Sequence, residues 1–415
     1  MTIARTVLDS GVTVVTEQVP HLRSATIGVW SEAGSRVEMP RDNGIAHFIE
    51  HMLFKGTARR KALDISREIE SVGGTMNACT EREYVFFFAK VLAKDFGLAV
   101  DLLADIYLNS VFDGDELERE RDIVLQEILM VEDNPEDFLD DFFHEAYWCG
   151  HPLGLPIQGT SGSVAGFTRD RVASWFGERF RRGGLIVSVV GDIEHARVAD
   201  AFDRQLGSLR LEKRRQPDAP PPPSRGVFLR ERPIEQVHVC LGAPAVPRTS
   251  ALRYEAHVLN TILGGSMCSR LFQEVREKRG LAYAIASSMV LYSDSGILKI
   301  SAGASRDRVR ELLAVVGGVV EEMRGGGIAD GEVAMARELV KGSMILGLES
   351  PECRMSRLAM NEMLFGRIEE HDEALRRVEA VSADKVRELA GSLLRRDAFA
   401  LAAVGDLPGG AALAF

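Results

Sequence analysis

The chain has 415 residues, a hydrophobic content of 46% and a formal net charge of −11. That length allows two or three domains with large buried cores, and the acidic balance argues against a nucleic-acid-binding surface. The five cysteines are widely spread and never form a Cys-x-x-Cys pair, which is typical of reduced thiols in a reducing compartment.

The amino-terminal residues predict a β-hairpin that turns at Asp9, Ser10 and Gly11. The segment lacks the charged start and apolar core of a secretion signal. No apolar run in the chain approaches the length of a membrane-spanning helix. We therefore expect a cytoplasmic protein that does not contact a membrane.

A histidine motif lies between Gly44 and Gly56, in a stretch with no internal Gly or Pro. This stretch predicts a helix of about three turns. On such a helix His47, Glu50 and His51 share one face, because residues three and four apart lie above one another.

Two imidazoles one turn apart, with a carboxylate between them, can supply two nitrogen ligands to Zn²⁺ and a base for its bound water. The order His-x-x-Glu-His inverts the commoner zinc-protease motif. The competing interpretation is two hydrogen-bonded structural histidines and a solvated carboxylate. A catalytic zinc also needs a third protein ligand, and we expect an acidic residue on another helix.

A predicted helix at 116–130 offers that ligand. Glu120 and Glu127 lie two turns apart on it and therefore roughly on one face. A surface helix rich in Glu and Arg ordinarily carries such residues as a solvated face. Either carboxylate alone is therefore weak evidence.

Four consecutive prolines at 220–223 interrupt the chain near its middle. They favour an extended polyproline II spacer, which cannot continue a helix or a central strand. We predict a zinc-binding catalytic domain at 1–212, a Pro-rich linker at 213–226 and a second domain at 227–415.

The two halves repeat. Residues 167–192 align without gaps with residues 381–406, and each copy predicts a capped helix followed by an apolar strand that ends in Gly-Asp. Each half also predicts a strand followed by a helix, at 84–89 and 96–108 and again at 297–302 and 307–323. We expect an α+β fold of two homologous domains, each an antiparallel-rich sheet packed with helices.

The repeat provides an internal control for the motif. Residues 47–53 align with 257–263, where the apolar spacing persists but Asn260 and Thr261 replace Glu50 and His51. The positions of Glu120 and Glu127 become Ala336 and Ser343 in the second copy. The second helix keeps the apolar residues needed for packing but lacks these polar residues. The polar residues of the first copy are therefore not explained by core packing.

The paired motifs resemble the pitrilysin-type zinc metallopeptidases, including half-length bacterial members and the mitochondrial processing peptidase. The resemblance covers essentially the whole chain. It implies one Zn²⁺ per chain, held by His47, His51 and Glu127. It also implies that Glu50 is the general base and that Glu120 is an acid beside the ligands that affects activity.

The resemblance extends to substrate-binding residues. Gly73 to Ala78 is similar to the edge strand that receives a peptide backbone, with Asn77 and Ala78 at the contact positions. A plain hairpin turn at Gly73 is the alternative. Arg276 and Tyr283 are similar to a second-domain pair that reaches the substrate near the zinc, although alone they would be ordinary helix-end residues.

An acidic run follows Glu127. Asp137 and Asp141 lie one turn apart if a helix starts at Pro135. They fall where catalytic subunits of the processing peptidase carry acids that receive a substrate arginine. The competing interpretation is a solvated helix start, where the helix dipole favours acids.

The resemblance implies a zinc-dependent endopeptidase that hydrolyses extended, unfolded peptides inside a closed chamber, with a preference for basic residues near the cleaved bond. It implies a homodimer, with a heterodimer as the alternative, and a peptide rather than a nucleic acid as substrate. The competing function is a catalytically silent scaffold subunit. Such subunits typically lose the zinc residues, and this chain keeps them.

Overall fold

The computed structural model describes residues 2–212, 219–220, 222–407 and 413–415. The chain forms two compact units. Unit 1 comprises Met1–Met130, Leu155–Asp218 and Gly347–Ile368, and unit 2 comprises Val131–Gly154, Ala219–Leu346 and Glu369–Phe415. Of the predicted linker at 213–226, residues 213–218 and 221 lie outside the described residues.

The strands of the described residues are β1 Thr2–Val7, β2 Thr13–Gln18, β3 Ser24–Ser31, β4 Thr75–Thr80, β5 Val85–Leu92, β6 Leu185–Gly191, β7 Gly226–Glu231, β8 Gln236–Pro244, β9 Ile285–Leu291, β10 Gly296–Ser305 and β11 Ala400–Gly405. Strand β6 is buried along its whole length, which explains its continuous apolar sequence. The predicted hairpin at the amino terminus is confirmed as β1 and β2.

The α-helices of the same residues are α1 Ile45–Leu53, α2 Ala62–Ser71, α3 Phe96–Asn109, α4 Gly114–Asp133, α5 Pro135–Tyr147, α6 Ser161–Ala165, α7 Arg169–Trp175, α8 His195–Leu206, α9 Arg253–Leu263, α10 Val309–Arg324, α11 Asp330–Gly347, α12 Pro351–Phe365, α13 His371–Glu379 and α14 Ala383–Leu393. None of the described helices is long and apolar enough to cross a membrane.

The two sheets have the same order, so the predicted α+β repeat is confirmed. In unit 1 the order is β1-β2-β6-β3-β5-β4, and in unit 2 it is β7-β11-β8-β10-β9. In each sheet one parallel pair, β2 with β6 or β7 with β11, accompanies antiparallel neighbours. The hairpin strand β1 is the one addition in unit 1.

The compact units cut across the boundaries drawn from the repeat at two places. Helix α5 packs on β8 and β11 in unit 2, whereas its counterpart α12 packs on β2, β3 and β6 in unit 1. Both helices begin with a proline that follows a capping side chain, Asn134 for α5 and Ser350 for α12. The sequence marks where these helices begin, but it does not show which sheet each one covers.

A glycine in each sheet permits this packing. A Cβ atom on Gly28 of β3 would lie 2.6 Å from Sδ of Met355 on α12. A Cβ atom on Gly242 of β8 would lie 2.1 Å from Cζ of Phe143 on α5. Both distances are too short for real atoms, so a larger residue at either position would force the facing side chain to move.

Candidate metal centre

Helix α1 carries the histidine motif on the side that faces away from the core. Its apolar residues are fully buried beneath the sheet of unit 1: Ile45, Phe48, Ile49, Met52 and Leu53. His47, Glu50 and His51 are only partly buried. Burial of the apolar face therefore fixes which way the three polar side chains point.

Helix α4 brings Glu127 to the two histidines. It buries Leu117, Val124 and Ile128 along one side, which orients the adjacent carboxylates. Oε2 of Glu127 lies 3.7 Å from Nε2 of His47 and 3.4 Å from Nε2 of His51. Within the described residues this is the one group of His, Cys, Asp or Glu that could hold a metal ion.

The donor set suits Zn²⁺, which binds imidazole nitrogens and carboxylate oxygens in such three-residue catalytic sites. Nδ1 of His51 lies 3.1 Å from Oε2 of Glu120, which leaves Nε2 to face Glu127. Burial, together with the charge of His51, lowers the pKa of His47 to about 4. His47 is therefore neutral at pH 7, as a ligand must be.

Glu120 is almost fully buried, with 2% of its surface exposed. It is held between two partners, since Nζ of Lys55 lies 2.7 Å from Oε1 while Oε2 faces His51. Burial raises the pKa of Glu120, but the hydrogen bonds from His51 and Lys55 outweigh it and leave the pKa below its ordinary value. Glu120 is thus ionised, and it can orient the His51 ring.

Glu50 lies on the same face of α1 and is oriented from β4. The hydroxyl of Thr80 donates a hydrogen bond of 2.5 Å to Oε2 of Glu50. Burial raises the pKa of Glu50, although this bond and the charge of His51 partly oppose the shift. A carboxylate with a raised pKa is better matched to accepting and returning a proton near neutral pH.

Sequence reasoning missed Lys55 and Thr80. Lys55 stands four residues after His51, so its spacing on the helix face was an available signal. Thr80 reaches Glu50 only because β4 runs beside α1. No local pattern in the sequence indicates that contact.

Strand β4 is the last strand at one edge of its sheet, and it contains Asn77 and Ala78. The prediction of an edge strand at this position is therefore confirmed. Oδ1 of Asn77 accepts a hydrogen bond of 2.9 Å from the backbone N–H of Ala78. Whether these two residues contact a substrate stays a prediction.

Arg276 and Tyr283 line one cavity of about 510 Å³ within unit 2. The Arg276 guanidinium lies 4.8 Å from the centre of the Tyr283 ring, and Tyr283 is 81% exposed. Asp137, Asp140 and Glu136 reach the same cavity from α5. The structure thus brings together three of the residues singled out in the sequence, namely Asp137, Arg276 and Tyr283.

The acids that line this cavity beside Asp137 are Glu136 and Asp140, whereas the predicted Asp141 is not among the lining residues. Both Asp140 and Asp141 can share a helix face with Asp137, at spacings of three and four. Asp140 forms an ion pair with Lys299 and lies 3.3 Å from Nδ1 of His144. With Asp140 paired in this way, Asp137 is the more available carboxylate.

The corresponding place in the second repeat is a cavity of about 490 Å³ within unit 2. Its lining includes His257, Asn260, Thr261 and Ser343, the counterparts of His47, Glu50, His51 and Glu127. The alignment of the two motif helices is therefore confirmed in space. Among these four positions the second copy keeps one histidine but none of the carboxylates.

Comparison with known proteins identifies the family. The model named "Insulinase (Peptidase family M16)" matches residues 13–161, and "Peptidase M16 inactive domain" matches residues 166–340. A Mycobacterium leprae protein named as an uncharacterized zinc protease is 40% identical over 401 residues, which cover 95% of this chain and 90% of the relative. The chain belongs to peptidase family M16.

Within that family it is a half-length member of the pitrilysin type. The zinc protease YmxG of Bacillus subtilis, also named as uncharacterized, is 37% identical over 409 residues, which cover 98% of this chain and 100% of the relative. These names support a peptidase role that involves zinc.

Solved structures show the same fold. A crystal structure titled as a peptidase M16 inactive domain from Pseudomonas fluorescens superposes with a TM-score of 0.92 at 18% identity, covering 99% of each chain. A protease from Helicobacter pylori gives 0.89 at 19% identity, covering 97% of this chain and 99% of that one. At such identities the likeness concerns the fold alone.

Proposed function

We propose that the chain is a zinc-dependent endopeptidase that hydrolyses extended, unfolded peptides. The observation that carries this proposal is the convergence of His47, His51 and Glu127 from two helices, with Glu50 on the same helix face. The same helices in the second repeat form a cavity without that set. Packing alone therefore does not account for the four residues.

In the proposed mechanism His47, His51 and Glu127 hold one zinc ion. When bound there, zinc would supply Lewis-acid chemistry, which lowers the pKa of a water from about 9 in aqueous zinc toward about 7. Glu50 takes a proton from the attacking water and returns it to the nitrogen of the leaving amine. The hydroxyl of Thr80 orients the Glu50 carboxylate through its 2.5 Å hydrogen bond.

The proposed substrate adds to the open edge of β4. Backbone pairing with Asn77 and Ala78 would provide affinity with little demand on sequence. Only an extended segment can pair in this way, so folded proteins should be poor substrates. Enclosure of the peptide in a chamber is part of the proposal, by analogy with the family.

Arg276 and Tyr283 are proposed to contact the peptide as well. Stacking of the Arg276 guanidinium on the rings of Tyr283 and Phe272, at 4.8 Å from each ring centre, holds both side chains in place. The Tyr283 hydroxyl would donate to the oxyanion that forms during hydrolysis. Asp137, in the same cavity, would favour a basic substrate residue.

The decisive experiment combines zinc analysis with a quenched-fluorescent peptide assay on the wild type and on Glu50→Gln. We expect about one zinc per chain in both proteins and cleavage only by the wild type. A wild type that binds zinc but cleaves none of a varied peptide library would favour the silent scaffold instead. A wild type without zinc would overturn the metal site itself.

We also propose a homodimer, because one chain carries both the zinc residues and the pair Arg276 and Tyr283. Mixing Glu50→Gln chains with Tyr283→Phe chains tests whether sites are shared. Activity recovered in the mixture would mean that residues of two chains complete one site. No recovery would favour a site completed within one chain, and size-exclusion chromatography with light scattering would report whether the assembly is a dimer.

A further inference from the structure

The amino end of α1 is capped by a side chain that the mechanism does not use. Oε2 of Glu38 accepts a hydrogen bond of 2.8 Å from the N–H of Gly44, and Oε1 accepts one of 2.8 Å from the N–H of Ala46. Glu38 is 1% exposed. The residue that immediately follows Ala46 is His47, so the cap fixes the turn that carries the first histidine.

A neighbouring loop fastens the same turn. Nδ2 of Asn43 donates to Oε2 of Glu38 at 3.3 Å and to the carbonyl of Pro156 at 2.8 Å. Gly44 has a φ of +89° and packs directly against Gly159, where a Cβ on Gly44 would lie 2.6 Å from the Gly159 Cα. The first turn of α1 is therefore held by a hydrogen-bonded carboxylate on one side and by close backbone contact on the other.

Burying a carboxyl group in this way is unfavourable in free energy, because the group loses its contacts with water. Burial raises the pKa of Glu38, whereas the N–H groups of Ala46 and Gly44 oppose the shift because they donate to the ionised form. An ordinary cap would be a Ser, Thr, Asp or Asn directly before the helix. At that position α1 has Gly44, which contributes no side-chain bond.

The second repeat forms the equivalent helix without such a cap. At the start of helix α9 the N–H of Leu252 donates a hydrogen bond of 3.1 Å to the hydroxyl of Ser250, and Leu252 itself makes no side-chain cap. The buried carboxylate is therefore found in the repeat that has the metal-binding residues, and the helix of the other repeat forms without it.

We propose that Glu38 is a positioning residue for metal binding, which holds the first turn of α1 so that His47 is directed at His51 and Glu127 before the ion arrives. The inference rests on the proposed zinc site. It adds a residue nine positions before the first ligand, on no recognisable metal motif, to the set that determines zinc affinity.

The test measures the zinc dissociation constant by competition with a chelator, together with the melting temperature of the metal-free protein. Glu38→Gln keeps the shape of the side chain but turns one of the two acceptors into a donor that faces a backbone N–H. We expect its zinc dissociation constant to rise about tenfold in protein that retains the wild-type circular dichroism spectrum. The matched control is Glu362→Gln, since Glu362 is also buried in unit 1 and binds Arg5 away from α1.

The control should lower the melting temperature and leave zinc affinity within twofold of the wild type. A zinc dissociation constant within twofold of the wild type in Glu38→Gln would overturn the proposal, and so would an equal loss of affinity in Glu362→Gln. If Glu38→Gln does not fold, Asn43→Ala decides, because it removes the link between Glu38 and Pro156. Its zinc dissociation constant should rise about threefold, and an unchanged value overturns the proposal.

If the wild type binds no zinc, the proposed metal site is wrong, and so is the proposed role of Glu38. This outcome is distinguishable from failure of the positioning role alone. In that second case the wild type binds zinc tightly, and the Glu38 variants bind it equally well.

Discussion

The two repeats place equivalent helices side by side, and they differ in the polar residues that those helices present. In the first, α1 and α4 present two imidazoles and three carboxylates. In the second, α9 and α11 present an imidazole, an amide and two hydroxyl groups. The backbone arrangement persists without the charged residues, so the charged residues are not required for the fold.

The difference at the position of Glu120 shows that the first repeat buries a charged group where the second buries an apolar one. Glu120 is 2% exposed, and its counterpart Ala336 is 1% exposed. An ionised carboxylate in such a place is unfavourable unless it is paired, and Glu120 is paired with both Lys55 and His51. The second copy carries neither the charge nor its partners.

The largest effect is expected for Glu50→Gln, because the amide cannot accept a proton. We expect zinc content and melting temperature to match the wild type while kcat falls by at least about 100-fold. Peptide cleavage and zinc analysis on the same preparation check this. The converse exchange in the other repeat, Asn260→Asp, is the control and should leave kcat within twofold.

Activity of Glu50→Gln within tenfold of the wild type would contradict the role of Glu50 as the base. A large loss in Asn260→Asp would break the comparison itself, since it would mean that the second cavity takes part in catalysis.

A second effect is expected at the third ligand. Glu127→Gln should raise the zinc dissociation constant about 10- to 100-fold, because a neutral amide oxygen is a weaker ligand than a carboxylate. Activity should fall in parallel and return partly when excess zinc is added. Ser343→Ala at the matching position of α11 should change neither quantity. An unchanged zinc content in Glu127→Gln after dialysis would remove Glu127 from the metal site.

A smaller effect is expected for Lys55→Gln. The substitution leaves the buried carboxylate of Glu120 without its nearest cation, and we expect about a tenfold lower kcat with zinc still bound. Lys94→Gln, at an exposed position in the same unit, controls for the loss of one positive charge. Equal kcat values in the two variants would show that Lys55 does not support Glu120.

The sequence predicts those parts of the site whose residues are close together in the chain. The spacing of His47, Glu50 and His51 predicts their shared face, because helical periodicity is local. The repeat points to Glu120 and Glu127 alike, because both positions lose their charge in the second copy, and the family resemblance selects Glu127 as the ligand. Glu38, by contrast, could not be predicted to reach the start of α1, because its contact follows from a turn with no periodic pattern.

The fold shows the same limit. Strand and helix patterns predict both copies of the repeat, and Pro135 predicts where α5 starts. The sheet that each of the helices α5 and α12 covers depends on packing over long sequence separations. Gly28 and Gly242 are the positions where side chains of α12 and α5 approach the two sheets. A glycine in a strand indicates a close approach, but the sequence does not show which helix makes it.

The last prediction concerns the cavity of unit 2 that keeps charged residues, lined by Asp137, Arg276 and Tyr283. If the second repeat contributes specificity while the first supplies chemistry, peptides with Arg near the cleaved bond should be preferred over matched peptides with Ala. We expect about a fivefold difference in kcat/KM, since a carboxylate in an open cavity forms only a partly desolvated ion pair.

Single substitutions test which of the two predicted acids, Asp137 or Asp141, determines the preference for Arg. Asp137→Asn should reduce the preference for Arg and leave cleavage of the Ala peptide unchanged, because it removes one of the carboxylates that line the cavity. Asp141→Asn should retain the preference, since Asp141 does not line this cavity. Equal kcat/KM for both peptides in the wild type would argue against a basic-residue pocket. A preference lost in Asp141→Asn but kept in Asp137→Asn would move that pocket to the other face of α5, and the second repeat would then contribute specificity through a surface other than this cavity.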